Sequence, residues 1–236
     1  ELWYRQVSGE EVHCYRNDYY LTLGSDSKEG NISAQLLKTN TLGDALKINS
    51  VFKSKVYSVS AQAGPAVFSA GHSANGAFWF DPSSGKMISS SYYIENFPGW
   101  VSDFNNRKIP DTYLAREWDL LLPKGSYKAG WPDPYILEKG YFNTWNTFPY
   151  NLRKLASKVE SAYEILNLTP WGNKLIRDFA VQLIEQEGLG EDEHPDLLAI
   201  NFSSLGKANK WFSPFSVEMH DHYLRLDQEL ASLLAY

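Results

Sequence analysis

The sequence has 236 residues, 43% of them apolar and 15% aromatic, and a net charge of −6 at pH 7, enough to bury a sizeable core in one large domain or one domain with an insertion. The negative balance argues against a nucleic-acid backbone partner, which calls for a basic face, and no run approaches the roughly eighteen apolar residues of a membrane span. Cys14 is the single cysteine, which excludes an internal disulfide and a thiolate metal cluster and leaves it an ordinary strand residue rather than a reactive thiol.

Residues 1–23 hold two short aromatic segments, Leu2-Trp-Tyr4 and Val12-His-Cys-Tyr15, joined through Ser8-Gly9, the pattern of a surface hairpin. A polar loop with Gly24, Ser25, Asp26 and Gly30 leads to a helix predicted over residues 41–50, with Thr41 as N-cap. Val56–Ser60 reads as a buried strand. Residues 76–81 and 86–93 flank Pro82-Ser-Ser-Gly85, which has the residues a hairpin turn needs. Pro98 opens a helix toward Phe104.

From about residue 110 to 168 the character changes: Pro, Gly, Trp and Tyr rise, periodicity weakens, and only residues 150–157 look helical. This stretch carries too many large apolar groups for a solvated linker and is expected to be an insertion or cap within one domain spanning 1–236. Trp118, Trp131, Tyr135, Tyr141, Phe142 and Trp145 fall in it; exposed, they would anchor a sugar or peptide, but packing beneath irregular loops is the favoured expectation.

The clearest helical repeat covers residues 170–187. Leu175, Phe179 and Leu183 recur every fourth residue beside Ile176, Ala180 and Ile184; Thr169 suits the cap, Pro170 the first turn and Gly188 the end. It is expected to cross over to a strand at residues 197–200, completing a βαβ unit. A final helix from near Pro214 places Met219, Tyr223, Leu226, Leu230 and Leu233 on one stripe. The loop between that strand and that helix is where an α/β domain usually holds ligands or metals.

Three features outside that loop invite a functional reading. His220-Asp221-His222 looks like a ligand cluster, yet successive helical residues diverge by about 100°, so the two imidazoles point roughly 200° apart and cannot share one ion; a solvated face with a packed histidine is expected. His72 stands in Ala70-Gly-His-Ser-Ala-Asn-Gly76, where glycine permits unusual backbone beside a reactive centre. With no nucleophile and base pair recognisable by spacing, a structural histidine bonding the adjoining loops is expected. Dinucleotide, phosphate-loop, zinc-protease and nucleophile-elbow motifs are absent from the sequence.

The loop itself reads Asn201-Phe-Ser-Ser-Leu-Gly-Lys-Ala-Asn-Lys-Trp-Phe-Ser-Pro-Phe-Ser-Val-Glu218. It resembles the alkaline phosphatase superfamily, in particular the bacterial branch grouping phosphate-irrepressible alkaline phosphatases with type I phosphodiesterases and nucleotide pyrophosphatases. In that branch the loop typically reads Ser-Ser-x-Asp-Tyr-x-Gly-His-x-Phe-Gly-Pro-x-Ser-Val-Glu, matched here by Ser203, Ser204, Phe212, Pro214, Ser216, Val217 and Glu218. The family's metal-binding Asp falls on Gly206, its Gly on Asn209 and its metal-binding His on Lys210, and neither Gly nor a cationic Lys replaces a zinc ligand. Leu42-Gly-Asp44 with the strand following it, Ala70-Gly-His-Ser-Ala-Asn-Gly-Ala-Phe-Trp-Phe-Asp81, Ser89-Ser-Ser-Tyr-Tyr93, Trp100-Val-Ser-Asp-Phe104 and Thr169-Pro-Trp-Gly-Asn173 resemble the same branch in the same order. Its Lys-x-Arg pair, suited to a dianionic phosphate, falls on Gln62 and Gly64.

The resemblance implies an alkaline-phosphatase-like α/β fold, a sheet flanked by helices with the aromatic-rich insertion. In the family two zinc ions assist a Thr nucleophile, but that nucleophile, the first metal-binding Asp and a later Asp-His-Gly motif correspond to positions outside residues 1–236. The chain is therefore expected to be the middle of a longer protein, without Met start or signal peptide, and the resemblance implies export to the periplasm or cell surface. No catalytic, cofactor-binding or metal residue is assigned in this chain and no cofactor is expected. A binding or structural role for a degenerate domain stands ahead of the central fragment of a zinc-dependent phosphoesterase, with a small phosphorylated ligand or a protein partner at the insertion. A third reading keeps a metal-free anion site using Lys207 and Lys210.

Overall fold

The computed structural model describes residues 2–4, 11–128, 130, 132–135 and 138–236. In chain order the elements are β1 (Leu2–Tyr4), β2 (Glu11–His13), β3 (Thr22–Leu23), α1 (Leu42–Asn49), β4 (Val56–Ser60), α2 (Ala63–Ala70), β5 (Gly76–Asp81), β6 (Lys86–Ser90), α3 (Gly99–Asn106) and α4 (Ile109–Leu114). There follow β7 (Glu117–Trp118), β8 (Tyr150–Asn151), α5 (Leu152–Ala156), α6 (Pro170–Glu187), β9 (Leu197–Asn201), α7 (Ser204–Ala208) and α8 (Val217–Leu234), with short 3₁₀ turns at Lys124–Ser126 and Ala162–Leu168. The elements form two compact units: Glu1–Asp81, Lys86–Asn106 and Gln182–Asn201 make the first, and Pro82–Gly85, Arg107–Val181 and Phe202–Tyr236 the second.

The first unit is built on a five-stranded sheet of order β3-β6-β5-β4-β9. β4 runs parallel to β5 and β9, while β5 and β6 form the antiparallel hairpin expected from the Pro82–Gly85 turn, with Gly85 at φ +70°. All five residues of β4 are buried, as a central parallel strand requires, and its polar side chains find partners: the Ser58 hydroxyl donates to the Ala66 carbonyl at 2.7 Å. β1 and β2 pair as the predicted hairpin, although its Ser8-Gly9 turn lies outside the described residues.

α1 begins where the cap predicts. The Thr41 hydroxyl accepts the Asp44 N–H at 3.2 Å and the Asp44 carboxylate accepts the Thr41 N–H at 2.9 Å, a reciprocal capping box. α2 escapes the sequence reading. It is eight residues long with Gly64 and Pro65 in its first turn, where a missing N–H costs no helical bond but the residues read as breakers. It packs against β4 and β5, burying Ala66, Val67 and Ala70 with Ala77, Trp79 and Ile88.

In the second unit the aromatic stretch forms the core. Trp118 and Tyr141 are fully buried and Tyr150 nearly so, with Trp118 packed edge-on to Phe148 at 5.3 Å and Tyr141 edge-on to Phe212 at 4.8 Å. Tyr135, Phe142 and Trp145 are half-buried, and Trp131 lies outside the described residues. The helix predicted over 150–157 shortens to α5, preceded by β8, and the stretch also holds α4 and the two 3₁₀ turns. Elements of one or two turns have no repeat for a periodicity argument to find.

α6 occupies the residues predicted. Gly188 ends it at φ +59°, with the Leu189 N–H donating to the Ile184 carbonyl at 3.1 Å, a Schellman closure. The Thr169 hydroxyl donates to the Leu166 carbonyl at 3.2 Å. α8 corrects its expectation twice. It starts after Ser216, whose hydroxyl accepts the Met219 N–H, rather than at Pro214. Its expected apolar stripe is not the buried face: Tyr223 is 56% and Leu230 39% exposed, whereas Glu218, Asp221 and His222 are fully buried. Hydrogen bonds rather than apolar contact settle the orientation of its first turns.

Among the described residues no helix is long and apolar enough to cross a membrane.

Candidate functional site

The loop that carries the family pattern folds as α7 and a turn leading into α8. Its buried residues fix its path. The Ser204 N–H donates to the Asn173 side-chain carbonyl at 3.3 Å, both residues essentially inaccessible, so the Thr169-Pro-Trp-Gly-Asn173 segment holds the start of α7. Gly172 is required there: a Cβ on it would lie 2.3 Å from the Ser204 hydroxyl and 2.4 Å from the Leu166 carbonyl. Further along, Phe212 packs on Tyr141, and the Trp211 carbonyl accepts the Gly140 N–H at 3.2 Å. Ser216 caps α8, and the Tyr150 hydroxyl donates to Glu218 at 2.5 Å.

The positions where the family places chemistry face water instead. Gly206, Asn209 and Lys210 are exposed, and a Cβ on Gly206 would meet nothing within 4 Å. Gly206 offers no donor atom, and a protonated Lys210 ammonium has no lone pair to give. These residues do not fit a zinc ion, and among the described residues no group of three His, Cys, Asp or Glu is arranged to hold a metal. Lys207 is half-buried; burial lowers its pKa, as does neighbouring Lys210, while Glu164 opposes the shift.

At the positions of the family's phosphate clamp, Gln62 is the N-cap residue of α2 with no side-chain capping bond, and Gly64 is buried against Tyr15. A Cβ at Gly64 would lie 3.0 Å from that ring, so a long side chain there needs Tyr15 to move.

His72 bridges two segments. Nδ1 lies 3.2 Å from the Asp44 carboxylate and Nε2 2.9 Å from the Leu37 carbonyl. Ser73 turns its hydroxyl to the same Asp44 at 2.6 Å, so the serine faces the carboxylate and not the imidazole. Serine, histidine and aspartate are close together without the geometry of a nucleophile and its base. Asp44 also accepts the N–H groups of Thr41, His72 and Ser73. Burial alone would raise its pKa, but the bonds from Ser73, Thr41 and His72 outweigh burial and hold the carboxyl well below the usual range.

The three residues of His220-Asp221-His222 have three environments. Asp221 is fully buried rather than on a solvated face, and accepts from the Trp118 indole at 2.7 Å, the Leu121 N–H at 2.7 Å, the Tyr127 hydroxyl at 2.6 Å and Arg225 at 2.7 Å. His222 is buried with its ring 5.8 Å from that of Trp118, and burial lowers its pKa to about 3, keeping it neutral. His220 lies edge-on to Tyr127 at 5.1 Å. The anchoring roles of Asp44 and Asp221 were not read from the sequence. Asp44 had a signal, since it stands three residues after the Thr41 cap; the donors to Asp221 are about a hundred residues away and left none.

Comparison with known proteins places this arrangement. A family model described as type I phosphodiesterase / nucleotide pyrophosphatase matches residues 15–236. Alkaline phosphatase PhoV of Synechococcus elongatus is 34% identical over 235 residues, covering 99% of this chain and 42% of that protein. Alkaline phosphatase PafA of Elizabethkingia meningoseptica is 36% identical over 232 residues, covering 97% of this chain and 42% of its own length. The crystal structure of a PafA mutant matches with a TM-score of 0.92 at 34% identity, covering 99% of this chain and 45% of that one. The chain thus spans less than half the length of these relatives. With the α/β sheet, the retained loop anchors and a match over nearly its whole length, the chain belongs to the type I phosphodiesterase/nucleotide pyrophosphatase family.

Proposed function

We propose that this chain is a degenerate domain of that family that binds or scaffolds rather than hydrolyses. One observation carries the reading: the loop keeps every residue that anchors it, while Gly206 and Lys210, which correspond to metal-ligand positions, face solvent without a metal donor. Gln62 and Gly64 extend the pattern to the phosphate clamp. A protein partner or a small phosphorylated ligand is the expected occupant, and half-buried Tyr135, Phe142 and Trp145 are the part of the aromatic stretch left to meet it. A pseudoenzyme exported to a bacterial periplasm or cell surface is consistent with the alkaline phosphatases among its relatives.

Zinc content of the purified, dialysed chain, together with hydrolysis of a phosphate mono- and diester, tests the proposal. Near-zero zinc and no turnover are expected; about one zinc or more per chain, with turnover, would overturn it. A second reading, the central fragment of a zinc-dependent phosphoesterase, is favoured by the 42% coverage of PhoV and PafA. Zinc-dependent turnover by a longer form of the protein, carrying a Thr nucleophile and the remaining ligands, would establish that alternative.

A further inference from the structure

Glu218 occupies an unusual position for an acid. It is fully buried at the start of α8, one oxygen accepts from Tyr150 at 2.5 Å, and the other has no hydrogen-bond partner. Asp133 and Glu138, on the segment between β7 and β8, each also bury one carboxyl oxygen with no partner. A buried acceptor without a donor is costly, and a buried carboxylate without a counter-charge more so.

The groups facing Glu218 from the packed segments offer little compensation. They are Tyr150 from β8, Tyr141 beside it, and Asp133 and Glu138. Lys124 acts on Asp133. On its own helix, Asp221 is engaged by Trp118, Leu121, Tyr127 and Arg225, and His222 is neutral. Tyr141 directs its hydroxyl to the Leu168 carbonyl. Two acids and two phenols therefore surround a third acid, with one hydrogen bond among them to steady a negative charge.

We infer that Glu218 is held as the neutral acid and acts as a proton-dependent latch, fastening the 132–150 segment to the start of α8 and releasing it when the proton is lost. Burial pushes its pKa up to about 8, Glu138 and Asp133 push the same way, and the Tyr150 bond opposes them. The ordinary value is 4.5. Because the latched state favours the proton, its advantage is complete below about pH 4.5, declines about tenfold per pH unit above that, and levels off near pH 8 once the latched state ionises too.

The test is amide hydrogen exchange of peptides covering 132–150, comparing wild type with Glu218→Gln at each pH so that chemical exchange rates cancel. The expected ratio of local opening, wild type over variant, rises about tenfold per pH unit between about 5 and 8 and then flattens. A ratio independent of pH overturns the inference. Two further variants keep the test decisive if Glu218→Gln does not fold. Glu138→Gln should move the flattening to lower pH and Tyr150→Phe to higher pH; if neither moves it, the latch is excluded.

Discussion

Asp44 shows how much one side chain can hold. Its carboxylate receives the Thr41, His72 and Ser73 amides together with the Ser73 hydroxyl, tying the cap of α1 to the turn after α2. Asp44→Asn retains the shape but loses the charge and part of the acceptor capacity. The expected loss is about 2–4 kcal/mol at neutral pH, measured by denaturant unfolding. The sign with pH follows from the lowered pKa: the contribution is present above about pH 4 and is lost as pH falls through the folded-state value. Acid should therefore destabilise wild type more than the variant and narrow the gap between them. His72, for all its resemblance to a catalytic residue, belongs to this same fastening.

Glycines at the ends of elements divide into two kinds. Gly71 follows α2 at φ +74°, ψ −152°, a region open essentially to glycine alone, and a Cβ there would lie 2.2 Å from the Thr41 hydroxyl and 2.5 Å from the Asp44 carboxylate. Gly188 follows α6 at φ +59°, where other residues pay only a modest strain, and its nearest obstacle is the mobile tip of Glu191 at 2.8 Å. Gly71→Ala is expected to destabilise by about 3 kcal/mol or more and Gly188→Ala by about 1 kcal/mol, read as shifts in unfolding free energy. Equal effects would contradict this account of the α1–α2 fastening. α1 and α6 were legible in the sequence because cap, repeat and terminating glycine all act within a few residues. α2 was not, since its Gly64 and Pro65 signal a break while its stability comes from packing on β4 and β5. α8 was legible in extent but not in orientation.

At the scale of the whole molecule, the family fold persists without the family's ligands because the two depend on different residues. Asn173, Ser204, Ser216 and Glu218 are buried and hold the loop, while Gly206 and Lys210 point outward and hold nothing. Gly206→Asp combined with Lys210→His should leave unfolding free energy within about 0.5 kcal/mol of wild type, as exposed positions with open space allow. A loss of several kcal/mol in thermal or denaturant unfolding would show that the present residues are structural after all. The sequence by itself determined the α/β class, the family, the caps and turns, and the absence of ligands from the metal loop, because these depend on residue identity and on contacts a few positions apart. Only the tertiary structure decided that Trp118 and Tyr141 are core, that Asp221 gathers donors from residues 118–127, and that Glu218 is buried between two other acids. Burial and hydrogen bonding of polar groups are set by segments 68 to 103 residues apart, and no local pattern encodes which of them will meet.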